Sequence, residues 1–249
     1  MMRLIRPSAP LHLEPDSRSN RETDILFGEA VTIHETAAGF SQVTLKTDGY
    51  PGWVETAALG EAPAPDHVVC TPRALMTASP DIKSSSTGWL PMAAQVSASP
   101  AAPEVMAIHG HDGVIGHIPA HHLMPLEATV ADWVAVAESL IGTPYRWGGR
   151  DGIGLDCSAL VQLALSFAGI RAKRNSSDQE KTLGHTIDPA AGLERGDLVF
   201  WKGHVGIMAN PETLLHANMH HAMTASEPLA EAITRLEGLG LPVTRFARL

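Results

Sequence analysis

Cysteine is nearly absent from this chain: Cys70 and Cys157 are the only two in 249 residues. Two thiols do not make a disulfide framework, so a reduced compartment is the simple expectation. Cations are scarce as well, with 18 Lys plus Arg against 27 Asp plus Glu and a formal net charge of -9. Nucleic-acid binding rests on clustered cations, so that class of partner is not expected. No stretch approaches the roughly 18 continuous apolar residues of a membrane span. The opening residues Met1–Pro7 lack the apolar run of a secretory signal, which points to the cytoplasm. Removal of an earlier signal would instead make the protein periplasmic or secreted. With 44% hydrophobic and 18% charged residues the chain reads as globular, long enough for one large domain or two to three small ones.

The first half reads as β structure. Residues 30–34 and 41–46 alternate apolar with polar side chains, and Asp48-Gly49 is a strong hairpin turn signal. The segment 48–59 resembles 112–123, shifted by 64, with Asp, Gly, Gly and Leu coinciding. This is an internal repeat of two small β modules, with Glu61–Asp66 as the linker and Pro100–Pro103 as a loop in the second. After Pro125 the period changes. Val130, Trp133, Val134, Ala137, Leu140 and Ile141 share one helical face, ended by Gly142 and Pro144. Asp156 is a good N-cap for a second helix with the apolar face Leu160, Leu163, Ala164 and Phe167, stopped at Gly169. Strands are expected again at 197–201, 205–208 and 213–216. The predicted organisation is a first β module over residues 1–62, a second over 63–126 and an α+β domain over 127–249.

Cys157 lies one residue past that cap, at a helix mouth. Unpaired N–H groups and a partial positive charge there favour the thiolate, which is the reactive form of cysteine. A small buried helix residue fits the same segment. Lys202-Gly203 makes a tight turn that opens a strand at His204, and Asn210-Pro211 signals the next turn. A hairpin pivoting near Asn210 sets His204 roughly opposite His216, where cross-strand side chains are neighbours. One imidazole then serves the sulfur while the other orients it, the nucleophile–base–orienter arrangement of covalent catalysis. A one-residue slip would separate the two, leaving unrelated strand histidines.

The motifs Thr143–Gly149, Asp156–Gln162, Gly196–Trp201, Gly203–Ile207 and Leu215–Ala217 resemble the NlpC-type family. These are papain-like cysteine peptidases that cut the peptide stems of bacterial cell wall. The resemblance covers about residues 130 to 249, and the two β modules resemble the bacterial SH3-like domains that often precede such a catalytic domain. It implies two small SH3-like barrels followed by an α+β papain-like domain. It further implies Cys157 as nucleophile, His204 as general base, His216 as orienting residue and Tyr145 beside the sulfur as an oxyanion donor. The backbone N–H of Cys157 is the other natural donor. Asp156 and Ser158 match residues that bind the free amine of the stem's first residue, L-Ala; a carboxylate suits an ammonium, and Asp156 also suits the cap. Ser176 matches a further serine lining the site, and Tyr50 a tyrosine that the first SH3-like module adds to the substrate pocket. The second module departs from the pattern, with Val114 and His117 where the first has Tyr50 and Trp53, and Phe40 stands where tryptophan is expected.

The activity so implied is hydrolysis of the γ-D-Glu–diamino acid bond in stem peptides with a free N-terminal L-Ala, as in recycling of wall peptides. The murein stem peptide is the expected partner. Acyl transfer by the same thiol, or peptide binding without catalysis, are the alternatives. Thirteen histidines raise the question of zinc. His216 and His220 are spaced i, i+4, yet Ala217 stands where a zinc peptidase helix carries glutamate, so no metal or other cofactor is expected.

Overall fold

A computed structural model describes residues 1–249 and divides into two compact units, 1–128 and 129–249. No helix is long and apolar enough to cross a membrane.

The N-terminal unit repeats one plan. Its first seven strands are β1 (Met2–Leu4), β2 (Ser8–His12), β3 (Arg21–Leu26), β4 (Val31–Ala37), β5 (Phe40–Leu45), β6 (Pro51–Glu55) and β7 (Leu59–Glu61). The next seven are β8 (His67–Val69), β9 (Arg73–Thr77), β10 (Ser86–Pro91), β11 (Gln95–Ala102), β12 (Val105–Gly110), β13 (Gly113–Pro119) and β14 (Leu123–Pro125). Short 3-10 turns at Thr56–Ala58 and Ala120–His122 occupy matching places 64 residues apart. In the first set β3-β2-β6-β5-β4 form one sheet and β1 pairs with β7. In the second the same neighbours join into a single sheet, β10-β9-β13-β12-β11-β8-β14. Each set closes on its own core, Leu11, Ile25, Val43 and Val54 in the first, Val69, Leu90, Ile108 and Ile118 in the second.

The two modules share a contact: Phe27, from the first, is buried in the second core, and its carbonyl accepts the Gln95 N–H at 2.9 Å. Pro100 is not in a loop but inside β11, opposite Met106. Proline is tolerated there because β8 pairs only with Gln95 and Val96, so no partner strand needs the missing N–H.

The C-terminal unit comprises α1 (Trp133–Glu138), the small hairpin β15 (Arg150–Asp151) and β16 (Gly154–Leu155), α2 (Cys157–Phe167) and α3 (Ser176–Thr182). There follow β17 (His185–Thr186), β18 (Leu198–Trp201), β19 (His204–Met208), β20 (Thr213–Asn218), β21 (Met223–Pro228), α4 (Leu229–Glu237) and β22 (Val243–Arg248). Six of these strands make an antiparallel sheet in the order β17-β22-β18-β19-β20-β21. The first helix is shorter than its apolar period predicts. Asp132 caps it by accepting the Ala135 N–H at 3.2 Å, so Val130 lies outside, and after Glu138 single turns carry the chain to an exposed Ile141. The second helix is buried at every position except Ser166. It ends at Gly169, whose φ of +73° lets Ile170 N–H reach the Leu165 carbonyl and Gly169 N–H the Ser166 carbonyl, a Schellman close. A helix buried on all sides fixes its first residue rigidly, and that residue is Cys157. The last helix lays Leu229 and Ala232 on Trp201, Met208 and Leu214.

Candidate active site

Asp156 has extended dihedrals and accepts the Ala159 N–H at 2.9 Å, so the cap predicted from sequence starts α2. Its carboxylate does much more. Oδ1 also accepts the Ser158 hydroxyl at 3.1 Å and Arg174 Nη1 at 2.9 Å, while Oδ2 accepts the Gly148 N–H at 2.9 Å and Arg174 Nη2 at 2.7 Å. Arg174 further reaches the Ser158 hydroxyl oxygen at 2.8 Å. Both charged side chains are nearly inaccessible, at 2% for Arg174 and 8% for Asp156. Five donors exceed the four or so lone-pair positions of a carboxylate, so the group is saturated from within. The sequence reading kept this carboxylate for a substrate amine; here an amine reaches it only by displacing a donor.

Cys157 is 5% exposed. Its sulfur accepts the backbone N–H groups of Val205 and Ser158, which sets it against the residue following His204. Burial, followed by the negative charge of Asp156, pushes the thiol up to about 12, against the pull of those N–H groups and Arg174. Burial thus opposes the thiolate that the helix mouth favours. Desolvation of a lone buried anion outweighs a few backbone dipoles.

The two histidines meet. His204 Nε2 and His216 Nδ1 are 2.8 Å apart. The hairpin register sets Ile207 opposite Leu215 and Met208 opposite Leu214, which carries His216 opposite Gly206, with His204 on the diagonal. The predicted pivot is thus displaced, but by an even step, and period-2 alternation keeps both imidazoles on one face. The missing side chain at Gly206 leaves room for Leu214 and, less tightly, His216: a Cβ there would stand 2.6 Å from Leu214 Cδ1 and 3.3 Å from His216 Cβ. Beyond His216 the line continues. His216 Nε2 lies 2.7 Å from Glu227 Oε1, and Glu227 receives Nη1 of Arg235 at 2.6 Å and Nη2 at 2.5 Å. His204, His216 and Glu227 descend diagonally across β19, β20 and β21 to Arg235 on α4.

Electrostatics follows from this burial. Desolvation, helped by the neighbouring imidazole, brings His204 down to about 3; desolvation also takes His216 down to about 4, opposed by Glu227. The hydrogen bonds of Arg235 and His216 hold Glu227 at about 2 despite its burial. Both imidazoles are accordingly neutral, and Glu227 is an acceptor only. The Trp201 ring lies 5.6 Å from that of His204.

Tyr145 is pinned through its N–H to the Ala222 carbonyl at 2.9 Å and bridges Leu155. Burial, then the charges of Cys157 and Asp156, raise its phenol well above the ordinary value, so it remains a donor. Ser176 is the first residue of α3, which Gln179 ties to the Ser158 carbonyl at 2.9 Å. Tyr50 belongs to the N-terminal unit, where it packs on the first core and its hydroxyl donates to Glu22 at 3.4 Å.

The i, i+4 pair His216/His220 is not on a helix; His216 is on β20 and His220 in the following turn. His216, His221 and Glu227 do bring three potential ligand atoms within 4.8 Å. Arg235 already binds both oxygens of that carboxylate and offsets the charge that a cation would need.

Arg174, Glu227 and Arg235 escaped the sequence reading. The diagonal from His216 to Glu227 depends on a four-residue turn, Met219–Ala222, in which Ala222 takes a left-handed φ of +55° without glycine or proline to mark it.

Residues 142–235 match the NlpC/P60 family, and residues 11–59 match the bacterial dipeptidyl-peptidase Sh3 domain. The chain therefore carries an NlpC/P60 domain, and its N-terminal unit carries an Sh3 domain of the bacterial dipeptidyl-peptidase type. Among relatives, dipeptidyl-peptidase 6 of Lysinibacillus sphaericus is 35% identical over 104 residues, 40% of this chain and 36% of that protein. The gamma-D-glutamyl-L-lysine dipeptidyl-peptidase of Bacillus subtilis is 26% identical over 216 residues, 79% of this chain and 72% of that protein. The chain thus spans little more than a third of the first relative's length and 72% of the second's. A solved NlpC/P60 family protein from Bacillus cereus shares the fold over 100% of this chain and 99% of its own, with a TM-score of 0.84 at 19% identity.

Proposed function

We propose that this protein hydrolyses the γ-D-Glu–diamino acid bond of murein stem peptides that carry a free N-terminal L-Ala, a step in breaking down wall peptides already cut from glycan. What supports the reading is Cys157 at the head of α2 beside the backbone of Val205, the residue after His204, together with the 2.8 Å contact between His204 and His216. The 26% likeness to the gamma-D-glutamyl-L-lysine dipeptidyl-peptidase over most of both chains supports the bond assignment.

With thiol and imidazole both neutral, the charged pair forms as substrate binds and water leaves. His204 takes the Cys157 proton while the sulfur attacks the γ-carbonyl carbon of D-Glu. Proton transfer creates two opposite charges together, so each removes the desolvation that disfavours the other alone. The oxyanion lies between the Cys157 backbone N–H and the Tyr145 hydroxyl. His204 then protonates the leaving amine of the diamino acid, which leaves a thioester. Water, deprotonated by His204, attacks that thioester, releases the γ-carboxylate and restores the thiol. His216 orients His204 throughout.

Asp156, Ser158 and Ser176 line the end that receives the L-Ala ammonium. The ammonium takes the place of the Ser158 hydroxyl proton on Asp156 Oδ1; that 3.1 Å contact is the longest of the five, and a hydroxyl turns easily. The second β module is a further SH3-like barrel, on the strength of the repeated strand plan.

The test offers free L-Ala-γ-D-Glu-diaminopimelate beside the same stem linked to N-acetylmuramic acid, and each again with lysine as the diamino acid. Cleavage of the free peptide alone is expected. Equal rates for free and muramyl-linked stems would remove the amine requirement, and full activity in Cys157→Ala would remove the mechanism.

A further inference from the structure

A neutral imidazole carries one N–H and one bare nitrogen, and which is which depends on its partners. The line behind His204 leaves a single solution. Glu227, paired with Arg235 through both oxygens, only accepts, so the 2.7 Å contact requires a proton on His216 Nε2. His216 is 1% exposed and neutral, so its Nδ1 is bare and accepts from His204 Nε2–H at 2.8 Å. Neutral His204 then has its proton on Nε2, and Nδ1 is the nitrogen left to act as base.

We propose that Glu227 and Arg235 are positioning residues that set the tautomers of two histidines in series, so that His204 offers an unprotonated Nδ1 to the Cys157 thiol. This rests on the reading of Cys157 as nucleophile and His204 as base. Neither residue touches substrate; each acts through His216. Reversing the acceptor at the far end reverses every proton along the line. In Glu227→Gln the guanidinium takes the remaining carbonyl oxygen and the amide N–H turns to His216. Its Nε2 must then accept, its Nδ1–H donates to His204 Nε2, and the His204 proton is moved to Nδ1.

Two readouts test this without relying on the murein substrate. Nitrogen-15 spectra of the histidines at pH 7.5, with His204 assigned by loss of its signals in His204→Gln, report which ring nitrogen is protonated. The rate of iodoacetamide alkylation at Cys157, followed on its own tryptic peptide, reports how readily the thiol is deprotonated. The intact protein is expected to show bare Nδ1 at His204. Glu227→Gln is expected to show bare Nε2, with alkylation slowed about 10²-fold or more, in line with wrong-tautomer substitutions elsewhere. Glu227→Asp, which keeps an acceptor, is expected to restore the tautomer and part of the rate. Unchanged tautomer and rate in Glu227→Gln would overturn the proposal. Should that variant not fold, Arg235→Gln serves, since Arg235 is partly exposed. Released from its anchor, the carboxylate turns off His216, so a mixed tautomer and about tenfold slower alkylation are expected; unchanged values there would equally overturn it. Failure to cleave murein peptides, with these spectra as described, would count against the proposed function alone.

Discussion

Two carboxylate–guanidinium pairs serve the candidate site, one at the cap before Cys157 and one behind His216, and they are built to different ends. Asp156–Arg174 is sealed, with both side chains nearly inaccessible and every oxygen filled by backbone N–H, hydroxyl or guanidinium. Glu227–Arg235 is sealed only on the acid side: Glu227 is 6% exposed and Arg235 24%. The first pair is tied to the backbone of Gly148 and Ala159, so it holds the helix start and with it Cys157. The second is tied to a histidine ring, so it governs the direction of protons. Identical chemistry thus serves placement where its partners are main chain and proton routing where its partner titrates. The general lesson is that what a buried ion pair does is decided by its third contact.

Removing the sulfur sets the upper bound. Cys157→Ala is expected to lower kcat on the order of 10⁶-fold with the fold intact, checked by peptide hydrolysis beside circular dichroism. Asp156→Asn comes next and acts on stability. It leaves Arg174 buried without its counter-charge, a loss of about 3–5 kcal/mol in urea unfolding. Glu227→Gln leaves a guanidinium that reaches water, so its stability loss is expected under about 2 kcal/mol while its rate loss is large. Equal stability losses in the two variants would break the comparison.

Acid sharpens it further. His204 and His216 are brought down to about 3 and about 4 in the folded protein, below the ordinary value of 6.5. Between those limits the unfolded chain binds more protons than the folded one, so stability is whole above about pH 6.5 and falls as pH drops. Each histidine contributes about 1.4 kcal/mol per pH unit in that window, and Glu227 adds its share below about pH 4.5. Unfolding free energies between pH 7.5 and 5 are expected to show this slope, reduced by half in His216→Gln. The smallest effect is expected of Arg235→Lys. A single ammonium replaces the paired contacts, and kcat should fall about tenfold or less with no change in urea midpoint.

Much of the site was legible because it follows local rules. An aspartate before an apolar helical period is a cap whatever surrounds it, and Asp156 is one. Lys202-Gly203 closes β18 onto β19 with Trp201 opposite His204, as a tight turn requires. The repeat of 48–59 in 112–123 appears in space as strand, 3-10 turn and strand in both modules. Other features were not legible, because they depend on register and packing. His204 and His216 share a face only because an even displacement preserved parity. Phe27 crossed from one core to the next, and the apolar period over 130–141 became a six-residue helix that starts only at the Asp132 cap and gives way to single turns after Glu138.

What the sequence determined alone is the set of chemically able groups and their order: a thiol at a helix mouth, then histidines opening one strand and lying within the next. Local propensity and alternation suffice for that. Tertiary structure decided their state. Burial neutralised both the thiol and the imidazoles, Arg174 claimed the capping carboxylate, and Glu227 reached His216 from a third strand. These outcomes depend on which groups lose water together and on distances between segments far apart in the chain, and neither quantity is written in local pattern.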